Sequence, residues 1–240
     1  MKLSYDLHIH SCLSPCGSDD SLPSNIVGMA ALKGLDVIAV TDHNSCGNCK
    51  AVSELAAEYG ILAIPGMELT TAEEAHVLCL FYNIANAEAF SEYVYKRLLN
   101  FPNDEKIFGK QQYADKDDNI YKTEPLLLIS ATSIGFDEVY KTVTDFGGIM
   151  IPAHIDKSTT SLLSNMGFIP PDSEFKCAEI KHTGFTERLI SENPYLKNCN
   201  IITDSDAHYL EDISEPEHFL NANEKTVKGV LDALMKKQNG

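Results

Sequence analysis

The chain has 240 residues, of which 44% are hydrophobic, and its 19 Lys and Arg against 35 Asp and Glu give a formal net charge of −16. This apolar fraction is enough for one buried core and argues against a disordered chain. The acidic charge argues against a protein that coats DNA or RNA, because such a protein needs a basic surface. Only two arginines are present, Arg97 and Arg188.

The sequence also indicates where the protein is located. No run approaches the ~18 consecutive apolar residues that a membrane helix needs, and residues 1–7 enter a strand-like pattern without a signal-peptide stretch. The seven cysteines are an odd number, so a complete set of disulfides would leave one over. We therefore expect reduced thiols, a cytoplasmic location and no membrane partner.

Strand-like and helical patterns alternate along the chain. Strands are predicted at residues 3–9, 36–40, 61–64, 76–81, 149–151, 177–180 and 200–203. Helices are predicted at residues 23–33, 50–59, 88–99 and 227–236. This order is typical of parallel βα units and predicts a single α/β domain over residues 1–240. The polar stretch at 102–124 lacks a core of its own, so we interpret it as part of an inserted excursion at about 84–146.

Six of the eight histidines lie at the end of a predicted strand, just beyond it or inside it. The segments are HIH (His8, His10), TDHN (His43), AHVLCL (His76), PAH (His154) and SDAH (His208). Glu68 and Asp206 occupy equivalent positions after the third and the last strand. In a parallel barrel the carboxyl ends of the strands share one face, so these side chains would converge there.

Imidazole and carboxylate together bind Zn²⁺, Mn²⁺ or Fe²⁺, and the one-residue spacing puts His8 and His10 on the same face of a strand. Taken alone, each segment has an ordinary explanation: His76 could be a core histidine, and Asp42 in TDHN could cap the next helix. The five histidine segments and the segment of Glu68 (Gly66-x-Glu68), in this order on successive strands, would not arise together by chance. Together they predict a metal site.

This order of segments resembles the PHP family of polymerase and histidinol-phosphatase domains, and is most similar to its small stand-alone phosphoesterases. The resemblance covers residues 3–212 and implies a distorted (β/α)7 barrel with two or three divalent ions, either zinc, manganese or iron. It implies a first ion on His8, His10, Glu68 and Asp206. It further implies a second ion on Glu68, His76 and His154, and contributions from His43 and His208 to a third.

By the same resemblance, a hydroxide held between the ions would attack a phosphate ester, with Glu68, Asp206 and His208 as the catalytic residues. The expected substrate is a small phosphorylated metabolite or a nucleotide. A 5′–3′ exonuclease or oligonucleotide phosphodiesterase is the second reading, although the charge disfavours a long nucleic acid. A non-catalytic metal-binding module is the third. The oligomeric state is left open.

The loop after the first strand departs from the family pattern. Pro15 or Cys16 stands where the family places an aspartate that helps to bind the third ion. Asp19 or Asp20 could replace it from a longer loop, the Cys16 thiolate could do so, or the third position could be vacant. The first two ions are not affected by this departure.

Two cysteine pairs follow the first two strands, as Cys12-x3-Cys16 and Cys46-x2-Cys49. Their loops would be neighbours at the barrel mouth, where four thiolates could bind zinc or an iron–sulfur cluster. The alternative is that the spacing is incidental.

The phosphoryl group of a substrate needs cationic or hydrogen-bonding partners beside the metals. Lys157, His182 and Arg188 lie at or near predicted strand ends and are the candidates, although each is as readily a solvated surface residue. No glycine-rich phosphate loop is present, so a nucleotide cofactor is not expected.

Overall fold

The computed structural model describes residues 1–237 of the chain, which form a mixed α/β domain. The strands are β1 (Lys2–Ile9), β2 (Val37–Val40), β3 (Leu62–Ala63), β4 (Gly66–Thr70), β5 (His76–Phe81), β6 (Gln112–Ala114), β7 (Ile120–Thr123), β8 (Gly148–Pro152), β9 (Cys177–Glu179), β10 (Asn200–Ile202) and β11 (Phe219–Asn221). Every strand predicted from the sequence is therefore present. The structure adds β4, the hairpin strands β6 and β7, and β11.

The α-helices are α1 (Pro23–Lys33), α2 (Cys49–Glu58), α3 (Ile84–Tyr95), α4 (Glu105–Phe108), α5 (Phe136–Asp145), α6 (Leu162–Met166), α7 (Thr186–Glu192) and α8 (Val227–Met235). Helix α1 has the predicted bounds because its end signals are strong. Pro23 suits the first turn, where its missing N–H has no partner to lose, and Gly34 ends the helix in the left-handed conformation with a φ of 75°.

The strands pair in four separate sheets. The largest has the order β11-β1-β2-β3, in which β1, β2 and β3 are parallel and β11 is antiparallel to β1. The second has the order β4-β5-β8 and is antiparallel throughout. Strands β9 and β10 form a parallel pair, and β6 and β7 form an antiparallel hairpin.

This pairing leaves the expected (β/α)7 barrel unconfirmed, and it shows that the strands are not all parallel. Within residues 1–237 the sheets do not join into one closed barrel, since only single bridges connect them, such as His43 to Glu68 and Ile9 to Ala207. Strands β3, β9 and β10 have only two or three residues, which is too short for continuous pairing. What the structure establishes is a mixed α/β fold.

The direction of β5 explains how His76 reaches the strand ends. A tight turn at residues 71–75, in which the backbone N–H of Thr71 donates to the carbonyl of Ala75 at 3.0 Å, connects β4 to β5. So short a connection permits only an antiparallel return, because a parallel one needs a crossover of about a dozen residues. The first residue of β5, His76, therefore lies level with the last residue of β4, Thr70.

The core is built around the sheets and includes both ends of the expected excursion. Phe90 of α3 and Val139 of α5 are fully buried in the same cluster as Phe81 of β5. Between these helices, Leu98 and Leu128 form a small separate cluster with Leu13. The boundaries at about 84–146 stay a prediction, but the helices at either end pack on the main core.

None of the helices in residues 1–237 is both long and apolar enough to cross a bilayer.

Candidate metal centre

The eight predicted metal ligands come from six different strand ends and lie together in one cluster. They are His8 and His10 at the end of β1, His43 after β2, Glu68 in β4, His76 at the start of β5, His154 after β8, and Asp206 and His208 after β10. Most are almost completely buried. The exception is His208, whose side chain is 26% exposed.

Glu68 is at the centre of this cluster. Its Oε1 lies 2.7 Å from Nδ1 of His76 and 3.0 Å from Nε2 of His154, and its Oε2 lies 2.9 Å from Nδ1 of His43. Its side chain is only 1% exposed. Both carboxylate oxygens thus face imidazole nitrogens at close range, as expected of a carboxylate that bridges two ions.

A second set of contacts has the spacing of a metal coordination shell. Nε2 of His8 lies 3.3 Å from Nε2 of His10, 3.3 Å from Oε1 of Glu68 and 3.5 Å from Oδ1 of Asp206. Nε2 of His10 lies 3.4 Å from Oε2 of Glu68 and 3.5 Å from Oδ1 of Asp206. Bonds of about 2.0–2.1 Å to a tetrahedral ion separate neighbouring ligand atoms by about 3.3–3.4 Å, so His8, His10 and Asp206 have spacings that fit one ion.

Two buried atoms at the centre have no hydrogen-bond partner. They are Nδ1 of His43 and Oε2 of Glu68, which lie only 2.9 Å apart but do not meet with hydrogen-bond geometry. A buried polar atom without a partner costs about 1–3 kcal/mol, and a divalent cation would satisfy both atoms at once. The residues present therefore fit the metal that the sequence implies.

The far ring nitrogens of three histidines are held by hydrogen bonds that determine the tautomer. Nδ1 of His8 donates to the carboxylate of Glu179 at 3.0 Å, and Nδ1 of His208 donates to the backbone carbonyl of Asp206 at 2.8 Å. In both rings this leaves the Nε2 lone pair free for a metal.

The third of these rings is oriented through a serine. Ser14 Oγ donates to Oδ1 of the buried Asp42 at 2.7 Å, so it accepts from Nδ1 of His10 at 2.9 Å. The backbone N–H of His43 donates to the same oxygen at 3.2 Å. Asp42 thus supports His10 through Ser14, and does not act as a helix cap.

Burial and charge set the protonation of the cluster. Burial lowers the pKa of His10 well below 6.5 and also lowers the pKa of His43, so both rings are neutral, as metal ligands must be. Burial alone would raise the pKa of Glu68, but the neighbouring His76, His8 and His43 hold it well below 4.5. The pKa of Asp206 is likewise lowered, against the effect of burial, by His8 and His10.

Two of the predicted ligands have an unusual backbone conformation. His154 has a φ of 29° and Asp206 a φ of 55°, in the region that side chains other than glycine rarely adopt. Such residues are kept only where the surrounding structure holds them, and they concentrate at functional sites. The backbone N–H of His154 is held by Oε2 of Glu179 at 2.9 Å.

The three predicted substrate contacts lie in different surroundings. Nζ of Lys157 is 2.9 Å from Oδ2 of Asp206, so this lysine is at the edge of the cluster. His182 is exposed, and its backbone N–H donates to Asp156 at 2.8 Å. Arg188 is 74% exposed and pairs with Glu192 of its own helix at 2.7 Å, and no contact brings it to the cluster.

The geometry also bears on the third ion. His10, His43 and His208 offer nitrogens within 4.8 Å of one another, but no cysteine in residues 1–237 joins a group of this kind. Burial and the charge of Glu68 raise the pKa of Cys16 to about 12, which disfavours a thiolate there. Asp19 is 57% exposed and pairs with Lys110, so it does not replace the missing aspartate. Asp20 is exposed as well.

The four loop cysteines do not form a thiolate site. Cys12 donates to the carbonyl of Gln112 at 3.5 Å, whereas Cys49 donates to that of Gly66 at 3.2 Å. Burial, together with its neighbour Cys49, raises the pKa of Cys46 well above 9. These thiols are packing residues of the loops.

The sequence reasoning did not identify Glu179 or Ser14, and it interpreted Asp42 only as a cap. One signal was available for Glu179. It is the single charged residue of a strand that is otherwise apolar and buried, and a buried carboxylate needs a partner. Nothing in the sequence shows that this partner is His8, which is 171 residues away.

The fold and the cluster define a class: an α/β protein with a buried histidine and carboxylate site for divalent cations. The PHP domain family model matches residues 6–166. The chain belongs to the PHP family.

Two curated relatives from Methanocaldococcus jannaschii share sequence with the chain. The uncharacterized protein MJ1587 is 36% identical over 86 residues, which are 32% of this chain and 50% of that protein. The uncharacterized protein MJ0043 is 28% identical over 168 residues, which are 70% of this chain and 18% of that protein. The chain thus spans half or less of the length of each.

Solved structures share the fold at low sequence identity. The lesion-specific endonuclease PfuEndoQ from Pyrococcus furiosus has a TM-score of 0.66 at 16% identity, over 98% of this chain and 56% of that one. A candidate metal-dependent phosphoesterase from Bifidobacterium adolescentis has a TM-score of 0.62 at 17% identity, over 96% and 95%. An amidohydrolase from Chromobacterium violaceum has a TM-score of 0.59 at 14% identity, over 93% of each chain.

Proposed function

We propose that this protein is a metal-dependent phosphoesterase that hydrolyses a phosphate ester of a small metabolite or a nucleotide. The observation that carries the proposal is the environment of Glu68. This buried carboxylate has imidazole nitrogens within 3.0 Å of both of its oxygens, and one oxygen has no hydrogen-bond partner. Such an arrangement suits a carboxylate shared between cations better than it suits a core residue.

The residues of this chain would hold two or three divalent ions of zinc, manganese or iron. His8, His10 and Asp206 lie 3.3–3.5 Å from one another, while His43, His76 and His154 contact Glu68 at 2.7–3.0 Å. When bound, a pair of ions supplies a nucleophile at neutral pH by lowering the pKa of water, and neutralises charge on the phosphoryl oxygens. Imidazole and carboxylate accept several such metals, so the donor set does not choose among them.

Within residues 1–237, the most exposed side chains at the cluster are those of His208 and Lys157, and we infer that a substrate enters at this edge. His8, His10, Glu68 and His154 have side chains no more than 1% exposed, whereas those of His208 and Lys157 are 26% and 32% exposed. A phosphoryl group entering at this edge would meet the ammonium of Lys157. His208 presents its Nε2 here, where it can bind an ion or hold a proton for the leaving oxygen. Asp206 lies between the two, within 4.0 Å of both side chains.

Oligonucleotide phosphodiester cleavage is the second candidate, and the structural similarity to an endonuclease favours it. The net charge of −16 weighs against a long polyanionic strand, because binding one requires a basic track. Short oligonucleotides are not subject to this objection.

The proposal also includes a distorted barrel architecture and a cytoplasmic location. The single bridges between neighbouring sheets support the interpretation as a distorted barrel, opened where its strands are short. All seven cysteines are unpaired, which supports a reducing cytoplasm.

The test is a phosphate-release screen on protein purified without chelator, after its metal content has been measured. Substrates would be phosphorylated sugars, nucleoside monophosphates and short oligonucleotides. We expect bound metal, and release from at least one substrate that Glu68→Gln lowers by more than about 100-fold. The matched control is Glu124→Gln, which changes a buried carboxylate outside the cluster and should remain active.

Metal that is bound without any hydrolysis would leave a non-catalytic module as the function. Mononucleotides released stepwise from an oligonucleotide would favour the exonuclease. Protein that takes up none of the three metals would refute the proposal altogether.

A further inference from the structure

Glu179 is a buried carboxylate next to the cluster that is not among the predicted ligands. It is the last residue of β9, its side chain is 1% exposed, and its one ion-pair partner within residues 1–237 is His8. Its Oε1 and Oε2 lie 3.2 and 3.0 Å from Nδ1 of His8. Its Oε2 also accepts the backbone N–H of His154 at 2.9 Å.

These two contacts act on different parts of the cluster. The bond to His8 keeps the proton on Nδ1 and directs Nε2 to Glu68 and Asp206, at 3.3 and 3.5 Å. The bond to His154 holds a residue with a φ of 29°, whose Nε2 meets Glu68 at 3.0 Å. One carboxylate therefore orients the ring of His8 and the backbone turn at His154, two residues whose imidazoles both approach Oε1 of Glu68.

We propose that Glu179 is a positioning residue that couples two ligands, His8 and His154, which the proposed function assigns to the first and the second ion, so that the binding of both ions depends on it. This inference rests on the proposed function, since it concerns how the chain holds the ions. The structure also supplies the reason for a carboxylate at this position. Both donors, Nδ1–H of His8 and N–H of His154, point at the same side chain, and a carboxylate has no hydrogen with which to oppose them.

An amide of the same shape cannot do the same. If the oxygen of Glu179→Gln takes the place of Oε2, its NH₂ lies where Oε1 is now, 3.2 Å from Nδ1 of His8, which carries a proton. If the NH₂ takes the place of Oε2, it faces both donors. In the first orientation the NH₂ opposes one donor, Nδ1–H of His8, and in the second it opposes two. The first opposition is relieved when His8 moves its proton to Nε2, the atom needed for the metal.

The experiment measures stepwise binding of Zn²⁺ to metal-free protein by competition with a chromophoric chelator. For Glu179→Gln we expect both of the tightest ions to bind about 10–100-fold more weakly than in the wild type. Glu124→Gln, a buried carboxylate bonded to Tyr95 and Tyr113 and outside the cluster, should bind as the wild type does. Glu179→Asp keeps the charge and both oxygens, so its loss should be smaller than that of Glu179→Gln.

A second measurement separates positioning from general destabilisation. In the zinc-loaded wild type, long-range proton–nitrogen NMR should show His8 protonated at Nδ1, and Glu179→Gln should lose or shift this signal. A variant that binds both ions as tightly as the wild type overturns the inference, as does one that weakens a single ion only. A larger loss in Glu179→Asp than in Glu179→Gln also contradicts it. If the wild type itself binds no metal, it is the proposed function that fails.

Discussion

Two buried polar regions of this protein differ in whether their polar atoms have hydrogen-bond partners. One is the cluster around Glu68. The other is formed by four polar side chains in and beside the segment 96–128 and is here called the Gln111 network. Its members are Asn44, Asn48, Gln111 and Glu124. All four side chains of this network are no more than 1% exposed, as is Glu68.

The Gln111 network is complete within the protein. Gln111 donates to the carbonyls of Glu124 and Leu126 at 3.0 and 2.7 Å and accepts the N–H of Leu128 at 2.8 Å. Glu124 accepts from the hydroxyls of Tyr95 and Tyr113, both at 2.9 Å. Every donor finds an acceptor, so this region requires no ligand.

The Glu68 cluster contains acceptor atoms that have no hydrogen-bond partner within residues 1–237. Oε2 of Glu68 and Nδ1 of His43 have no hydrogen-bond partner. Hydrogen-bond partners of buried polar groups thus distinguish a structural network from a binding site. A network whose groups are all paired holds a loop in place, whereas one with unpaired groups is completed by a ligand.

Removal of metal gives the largest expected effect. Ions present at about 100 times their dissociation constant stabilise the fold by about 2.7 kcal/mol, which for a chain of this length is roughly 5–10 °C in Tm. We expect EDTA to lower the Tm of loaded wild-type protein by this amount, as measured by differential scanning fluorimetry. Glu68→Gln should show no such shift, whereas Glu124→Gln should keep it. Equal Tm values with and without metal would show that the cluster is a satisfied core.

Gln111→Ala should lower the stability of the metal-free protein without changing its affinity for metal. The substitution leaves the N–H of Leu128 and two buried carbonyls without partners, which costs about 1–3 kcal/mol in the free energy of unfolding. We expect this loss in urea unfolding of the metal-free protein, with unchanged affinity for metal. Loss of metal binding together with stability would mean that the two regions are not independent.

Each region also has one lysine paired with a buried carboxylate, which provides a matched comparison. Lys157 lies 2.9 Å from Asp206, and Lys122 lies 3.0 Å from Glu124. Lys157→Met should raise the KM for a phosphate ester about 10-fold, because a charge-assisted contact is worth about 1.5 kcal/mol or more. Lys122→Met should leave KM unchanged. Equal effects of the two substitutions would remove Lys157 from the substrate site.

The smallest expected effect is an acid dependence in the Gln111 network. Burial alone would raise the pKa of Glu124, but Lys122, the N–H of Leu126 and the two tyrosines lower it below its usual 4.5. A carboxylate with a depressed pKa in the folded state stabilises the protein above its unfolded pKa, and this stability is lost as the pH falls below about 4.5. Urea unfolding of metal-free protein at pH 6 and pH 4 should show the loss, reduced in Glu124→Gln. The same dependence in both proteins would contradict this assignment.

The sequence predicted the cluster better than the architecture around it. Residues such as His8, Glu68 and Asp206 could be expected to lie together because histidines and carboxylates recur near strand ends, a pattern that depends on local order alone; their role as metal ligands stays a prediction. Helix α1 could be placed to the residue because Pro23 and Gly34 mark its ends. These features depend on residues that are close together in the sequence.

What could not be predicted depends on long-range contacts. The antiparallel direction of β5 and the gaps between the sheets depend on how short strands pair. The alternating strand and helix patterns of the sequence do not show this pairing. Glu179 reaches His8 across 171 positions of sequence. Gln111 and Asn44 have the composition of loop residues, and only the folded chain shows that they are buried.

The central claim is that Glu68 is shared between cations. Anomalous diffraction at the zinc, manganese or iron absorption edge, from crystals of protein purified without chelator and supplied with that metal, tests it most directly. We expect at least two peaks within the cluster, both in contact with the Glu68 carboxylate. A fully refined cluster without an anomalous peak, or metal found only on residues away from Glu68, would contradict it.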